Sequence, residues 1–337
     1  MATISDVARA AGVSPATVSR VFNGGRVTAE RAERVRKAAA VLGFSPNRVA
    51  RSLRTQRASV IGLLVPDVED PFFASLARGV EDTALRGSLS VVLCNTDDDV
   101  EKERRYLDVA LAEQMAGVIV AAASRTRTDL SGLVARGMPV VAVDRRPRAA
   151  EVDAVTVDDR HGAEDATVHL LERGYERVAC IAGPAGTSTS EDRLAGYRSA
   201  MRDAGTSDEQ IHDRTRHGDF RVEGGHAAMR ELLALPERPD AVFVANNLMA
   251  LGALQALREA DVEPPAFGVL SFGDLPWASL VRPPLTTVQL PSYDLGASAA
   301  ELLQDRVAGS GKPLQTVVLR TVLRVRDSTR GPAPRPA

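Results

Sequence analysis

Arg20 closes a short run, Pro15-Ala16-Thr17-Val18-Ser19-Arg20, whose other members are small, hydroxylated or apolar. A guanidinium placed there can make the bidentate contact to guanine O6 and N7, the commonest base-specific contact in the major groove of DNA. Thr17 and Ser19, with the helix amides, can hold phosphate oxygens. Residue sets for other chemistries are missing. The five histidines (His161, His169, His212, His217, His226) are scattered, and no HExxH, CxxC or GxSxG run occurs. GPAGTSTS, from Gly183, lacks the lysine of a Walker phosphate loop. Asp97-Asp98-Asp99 precedes a helical stretch and reads as a solvated loop. No catalytic residue, metal ligand or cofactor is therefore expected.

The elements that must position Arg20 can be read around it. Thr3-Ile4-Ser5-Asp6 is a capping-box-like start, and Ile4, Val7, Ala8 and Ala11 then share one helical face. Gly12 ends that helix. Ser14 as N-cap and Pro15 at the first helical position open a second one, with Val18, Val21 and Phe22 inward and Pro15, Ala16, Ser19, Arg20 and Asn23 outward. Two short helices joined by a Gly-containing turn form a helix-turn-helix. Thr28 is expected to cap a third helix, with Val35, Ala39 and Leu42 inward and Gly43 at its end. Residues 1–57 carry eleven Arg/Lys and three acids, a net +8, so the remaining 280 residues carry −10 of the total −2. A basic head on an acidic body suits a polyanion-binding module joined to a separate function.

From Val60 the pattern changes. SVIGLLVP, LSVVLCN, GVIVAA, PVVAV and AVTV, then RVACIAG, DAVFV and FGVLSF, read as buried parallel strands alternating with helices. Two such series predict two doubly wound lobes with a ligand site between them at the strand C-terminal ends. Cys94 and Cys180 lie in apolar runs and read as buried thiols in a reducing compartment. No apolar run reaches the roughly 18 residues of a membrane span, and the N-terminus does not read as a signal peptide.

TISDVARAAGVSPATVSRVFNGG resembles the DNA-binding signature of the LacI/GalR (lac repressor) family nearly throughout, and RVTAERAERVRKAAAVLGFSPNRVARSLRTQR resembles the rest of that family's headpiece and hinge. PDVEDPFFASLARGVEDTA, GMPVVAVDRRP, HLLERGYERVACIAGP, RPDAVFVANNLMALGALQAL and RPPLTTV look like blocks of its effector-binding core, which is similar to periplasmic sugar-binding proteins. The resemblance implies an all-α helix-turn-helix headpiece (1–46), a hinge helix and linker (47–59), and an α/β periplasmic-binding-protein-like core (60–327). Within the core it implies an N-lobe (about 60–157 and 287–315) and a C-lobe (about 158–286 and 316–327), with crossings near Asp158, Thr286 and Thr316. The Pro/Gly-rich residues 328–337 are expected to be a disordered tail.

It further implies DNA contacts at Thr3, Ser14, Pro15, Ala16, Thr17, Ser19, Arg20 and Asn23, and at the hinge residues Asn47, Ala50, Leu53 and Arg54. Leu53 would be the minor-groove wedge. In the family the first two exposed positions of the second helix set base preference; here they are Pro15 and Ala16, which can offer only apolar contact. Effector contacts are implied at Phe72, Phe73, Asp144, Arg193, Phe220, Asn246, Asp274 and Trp277. Carboxylates, Asn and Arg suit vicinal hydroxyls or a carbonyl, and the aromatic rings suit a sugar face or a base. Two departures stand out: Ala245-Asn246-Asn247 where the family often has Ala-Asn-Asp, and Phe272-Gly273-Asp274 where it commonly has Phe-Asp-Asp. The implied protein is a cytoplasmic, homodimeric repressor of a pseudo-palindromic DNA operator, sensing a sugar or nucleoside-like molecule, with release on ligand binding as the common mode. An uptake binding protein and an enzyme are the rival classes.

Overall fold

Thr3 opens α1 (Ile4–Ala11). Its hydroxyl accepts from the Asp6 amide, and the Asp6 carboxylate accepts from the Thr3 amide at 2.9 Å, a reciprocal cap. Gly12 turns the chain with φ +64°, a conformation costly to any residue with a Cβ. Ser14 Oγ accepts from the Thr17 amide at 3.2 Å, and α2 (Pro15–Phe22) begins. Thr28 precedes α3 (Ala29–Val41) in extended conformation, but its side chain makes no capping bond. Val7, Ala8, Ala11, Val18, Val35 and Ala39 form the small core. Two expected core positions lie outside it. Ile4, at the first turn of α1, is 41% exposed, and Leu42, past the end of α3, is 39% exposed. Phe44 closes the core instead: its amide returns to the Ala39 carbonyl, and its ring lies 5.8 Å from Phe22.

This computed structural model describes residues 2–22, 25–44, 59–148 and 151–331. They belong to two compact units, one ending at residue 58 and one beginning at Ser59. The expected hinge helix, with Asn47, Ala50, Leu53 and Arg54, lies outside the described residues, as does Asn23.

In the second unit the strands are β1 (Val60–Val65), β2 (Ser90–Asn95), β3 (Gly117–Val120), β4 (Val140–Val143), β5 (Asp153–Val157), β6 (Val178–Ala182), β7 (Thr215–His217), β8 (Ala241–Val244), β9 (Gly268–Phe272), β10 (Thr286–Gln289), β11 (Thr316–Leu319) and β12 (Val322–Arg324). The helices are α4 (Pro71–Arg86), α5 (Val100–Ala112), α6 (Ser131–Ala135), α7 (Asp159–Glu172), α8 (Ser188–Asp203), α9 (Asp208–Asp213), α10 (Val222–Leu233), α11 (Asn247–Glu259) and α12 (Ser292–Val307). One lobe's sheet runs β11-β5-β4-β3-β1-β2, all parallel; the other runs β12-β10-β9-β8-β6-β7, with only β12 antiparallel.

Strand alternation sends neighbouring side chains to opposite cores. Ile61, Leu63 and Val65 pack with Leu76, Val80, Leu295 and Leu303 of α4 and α12, while Leu64 faces Leu107 and Leu133 of α5 and α6. In the second lobe α10 and α11 cover one face and α7 and α8 the other.

Three expectations need correction. Crossings placed near Thr286 and Thr316 come later, because β10 pairs with β9 inside the second lobe and β11 pairs with β5 inside the first. The chain therefore crosses after Gln289 and again between Leu319 and Val322. Four short strands, β7 and β10 to β12, were not among the expected ones. The expected tail begins too early, since Ser328 and Thr329 are buried. Ser328 Oγ donates to the Val269 carbonyl at 2.7 Å, and Thr329 Oγ1 lies 2.7 Å from Thr286 Oγ1. Residues 332–337 lie outside the described set. No described helix is long and apolar enough to cross a membrane.

Candidate functional site

In the first unit, burial of Val18 against α1 and α3 fixes which side of α2 is turned outward. Ser14, Pro15, Ala16 and Arg20 are exposed; Thr17 and Ser19 are half-buried. Arg20 makes no ion pair among the described residues, so its guanidinium remains available. The Thr3 hydroxyl donates to Asp6 at 2.7 Å and thus serves the cap. Ser14 Oγ and Thr17 Oγ1 lie 2.9 Å apart at the start of α2.

In the second unit, a cleft at the strand C-terminal ends brings together six of the eight expected effector residues: Phe72, Phe73, Asp144, Arg193, Phe220 and Asn246. Asp70 caps α4 by accepting from the Phe72 amide at 2.9 Å, and this presents the Phe72–Phe73 pair, rings 4.9 Å apart and edge to face. Asp144 follows β4 with φ +60°, an uncommon conformation for a residue with a Cβ that turns its side chain into the cleft mouth region. Phe220 also has positive φ, and its ring lies against the Gly183 backbone, where any Cβ would come within 2.2 Å of it. Asn246 is the cap of α11: its Oδ1 accepts from Met249 at 2.9 Å and its Nδ2 donates to the Phe220 carbonyl at 2.9 Å. That amide holds the site more than it faces a ligand.

Two expected residues stand elsewhere. Asp274 pairs with Arg326 at 2.9 Å and 3.1 Å. Trp277, in the 3-10 turn Pro276–Ser279, packs on the α10–α11 core. Neither lines the cleft. Cleft residues not expected as effector contacts include Asp70, Arg145, Asn247 and Asp98, the last in a stretch read from the sequence as a solvated loop. Arg145, 4% exposed, pairs with Asp98 and lies over the rings of Phe73 (5.9 Å) and Phe220 (5.3 Å). Its adjacency to Asp144 was the available signal. Asn247 Nδ2 donates to Asp70 Oδ1 at 3.2 Å, joining the second lobe to the first. Its substitution for the family's acid was visible without revealing that contact.

The cleft is charged. Arg193 donates to Asp159 at 2.7 Å and to the Ala245 carbonyl at 2.8 Å, with its guanidinium 4.2 Å from the Phe272 ring centre. Burial pushes the Asp159 carboxyl up to about 7 in spite of Arg193. Burial likewise raises Asp144 and Asp70 above the usual carboxylate range. Among the described residues three buried polar atoms have no hydrogen-bond partner: Asp144 Oδ1, Arg145 Nε and Asn247 Oδ1. All three residues line the cleft, which leaves only about 40 Å3 between its side chains.

Residues 3–47 match the lacI family of bacterial regulatory proteins, and residues 58–323 match the family of periplasmic binding proteins and sugar binding domain of LacI family. The ribose operon repressor of Escherichia coli (strain K12) is 36% identical over 332 residues, 97% of this chain and 100% of that protein. A transcriptional regulator CelR–cellobiose complex is 33% identical with a TM-score of 0.74, over 97% of this chain and 100% of that one. The lac repressor dimer bound to operator and the anti-inducer ONPF gives a TM-score of 0.86 at 26% identity, over 97% and 99% of the two chains. With an outward-facing α2 and a two-lobed core on one chain, the protein belongs to the lacI family of bacterial regulatory proteins and is a DNA-binding transcriptional regulator.

Proposed function

We propose that this regulator is a cytoplasmic dimeric repressor whose operator affinity is set by a sugar held between the lobes of its second unit. The observation that carries the sugar is a trio of buried atoms with no hydrogen-bond partner among the described residues: two acceptors, Asp144 Oδ1 and Asn247 Oδ1, and one donor, Arg145 Nε, which lies 3.8 Å from Asp144 Oδ2. Buried polar atoms left unpaired cost about 1–3 kcal/mol each, and a polyol can both donate and accept at such a cluster. Trp277, the ring best suited to stack on a base, lies outside the cleft, which favours a sugar over a nucleoside. The relatives named for ribose and cellobiose support the same class, and the operator-bound lac repressor dimer supports a twofold assembly on a pseudo-palindrome.

Ligand sites usually span about 300–1,000 Å3, so the ≈ 40 Å3 here cannot take a monosaccharide ring unless the lobes or Arg145 move. Binding is thereby linked to lobe angle, and a ligand shifts the protein only by its differential affinity for the two arrangements. In the first unit, Arg20 reads guanine and Pro15 and Ala16 make apolar contacts in the major groove.

The test is thermal unfolding of the full-length protein against a panel of pentoses, hexoses and disaccharides including ribose and cellobiose, with nucleosides and purines alongside. A saturating sugar at 100 times its dissociation constant adds about 2.7 kcal/mol of stability, and should then weaken operator binding in a gel-shift titration. A nucleoside or purine hit with silence from every sugar refutes the reading.

A further inference from the structure

A second cavity, of about 260 Å3, lies between the lobes away from the effector cleft and is lined by three arginines: Arg125, Arg146 and Arg148. Main-chain contacts hold its walls. The Arg125 amide donates to the Gly186 carbonyl at 2.7 Å, the Arg148 amide donates to the Arg125 carbonyl at 2.6 Å, and the Arg146 amide donates to Ser188 Oγ at 3.1 Å. Loops from both lobes are thus fastened around one space. The Arg125 guanidinium already pairs with Glu191 at 2.7 Å. The Arg146 and Arg148 guanidinium groups have no ion-pair or hydrogen-bond partner among the described residues, though they stand at the cavity edge only a few residues apart. Asp192 is the one carboxylate in the lining, so the site carries a surplus of positive charge. The floor is apolar, from Ala142, Val152 and Ala154. None of these residues is used by the effector cleft or by α2.

We propose that this cavity binds a small organic phosphate monoester, whose phosphate is clamped by Arg146 and Arg148 while its tail rests on the apolar floor, and which fastens the lobes together. Guanidinium groups match phosphate oxygens in pairs, which sets a phosphate above chloride as occupant. Ser188, at the start of α8, and Asp192 bring the second lobe to the cavity wall. The cavity exceeds what a bare anion fills, which argues for the ester.

Titration calorimetry on the full-length protein with glycerol 3-phosphate, at ionic strength held constant with chloride, tests this. The ester should bind more tightly than inorganic phosphate. The Arg146→Ala/Arg148→Ala double variant should weaken it by about tenfold or more, and the Arg146→Lys/Arg148→Lys variant should retain part of the loss. Both side chains are exposed, so the urea midpoint should not move. Hydrogen exchange with the ester present should slow in residues 122–128 and 184–191 together. Equal affinity in the double alanine variant, preference for inorganic phosphate over the ester, or protection confined to one lobe would each overturn the proposal. Because the cleft residues are untouched, the sugar panel run on the same variants separates failure here from failure of the effector reading.

Discussion

Asp144→Asn separates ligand recognition from folding. The substitution keeps side-chain size, and Asn is among the few residues that tolerate the φ of +60° found there. It removes a charge that burial disfavours; Arg145, 3.8 Å from Asp144, keeps Asp98 as a partner, and Arg193 keeps Asp159. The change in folding stability should therefore stay within about 1 kcal/mol. Ligand binding should suffer more, because Oδ1 is an acceptor that the folded protein leaves free. A hydrogen bond to a charged group contributes about 1.5–3 kcal/mol and is roughly twice as strong as a neutral one, so losing the charge alone should cost about 0.75–1.5 kcal/mol, about 4- to 13-fold in affinity. Calorimetry with the sugar that stabilises the protein most, paired with urea unfolding, reads both quantities. Asp144→Ala serves as contrast: it loses the acceptor outright, where Asn keeps an uncharged amide oxygen, and it adds about 1–2 kcal/mol of left-handed backbone strain. Full sugar affinity in folded Asp144→Asn and Asp144→Ala proteins alike would refute the role given to this oxygen.

Further outcomes are expected elsewhere. Arg20→Ala should reduce the preference for operator over random DNA by about 1–3 kcal/mol, measured by competition gel shift, and unchanged discrimination would remove Arg20 from base reading. Arg193→Met strips the buried Asp159 of its 2.7 Å partner and should cost about 3–5 kcal/mol in urea unfolding at about pH 8; a loss below about 1 kcal/mol would mean the pair contributes little. Because burial raises Asp159 from 3.8 to about 7, the folded state keeps a proton that the unfolded chain has released, so this group's contribution to stability falls as pH rises from about 4 to 7. Asp159→Asn should flatten that part of the stability–pH curve, and an unaltered slope would show that another group governs it.

Sequence periodicity reveals what a strong local signal encodes. Thr3, Gly12, Ser14 and Pro15 mark the first two helices because capping and turn chemistry are written in single residues. Long β-branched runs such as VIGLLV and VACIA mark central strands for the same reason. Short strands that open on threonine escape: β10 (TTVQ) and β11 (TVVL) are not apolar throughout and are assigned to their sheets by partners elsewhere in the chain. The site divides similarly. Phe72, Phe73 and Asp144 stand in recognisable local runs, whereas the bond from Asn247 to Asp70 joins residues far apart in the chain and leaves no local signal. Asp274 and Trp277 follow Gly273, whose φ of +99° ends β9 in a sharp turn; beyond it the chain leads Asp274 to Arg326 and Trp277 to the α10–α11 core.

The placement of the three free atoms also bounds how strongly a ligand can switch the protein. Satisfying all of them would yield on the order of 3–9 kcal/mol of gross interaction, but affinity alone moves no equilibrium. Asp144 and Arg145 both belong to the first lobe, so a ligand can satisfy them at any lobe angle. Asn247 belongs to the second lobe and is already tied to Asp70 across the cleft. Contacts with second-lobe residues, Asn247 together with Arg193, Phe220 and Asn246 of the same cleft, depend on the lobe arrangement, and the Asn247 acceptor alone supplies about 1–3 kcal/mol for coupling. That is an operator-affinity change of about 5- to 150-fold, graded rather than all-or-none, since a shift from 1:99 to 99:1 needs about 5.5 kcal/mol. A steeper response would require both protomers of a dimer to contribute, because two linked sites double the differential energy acting on one operator.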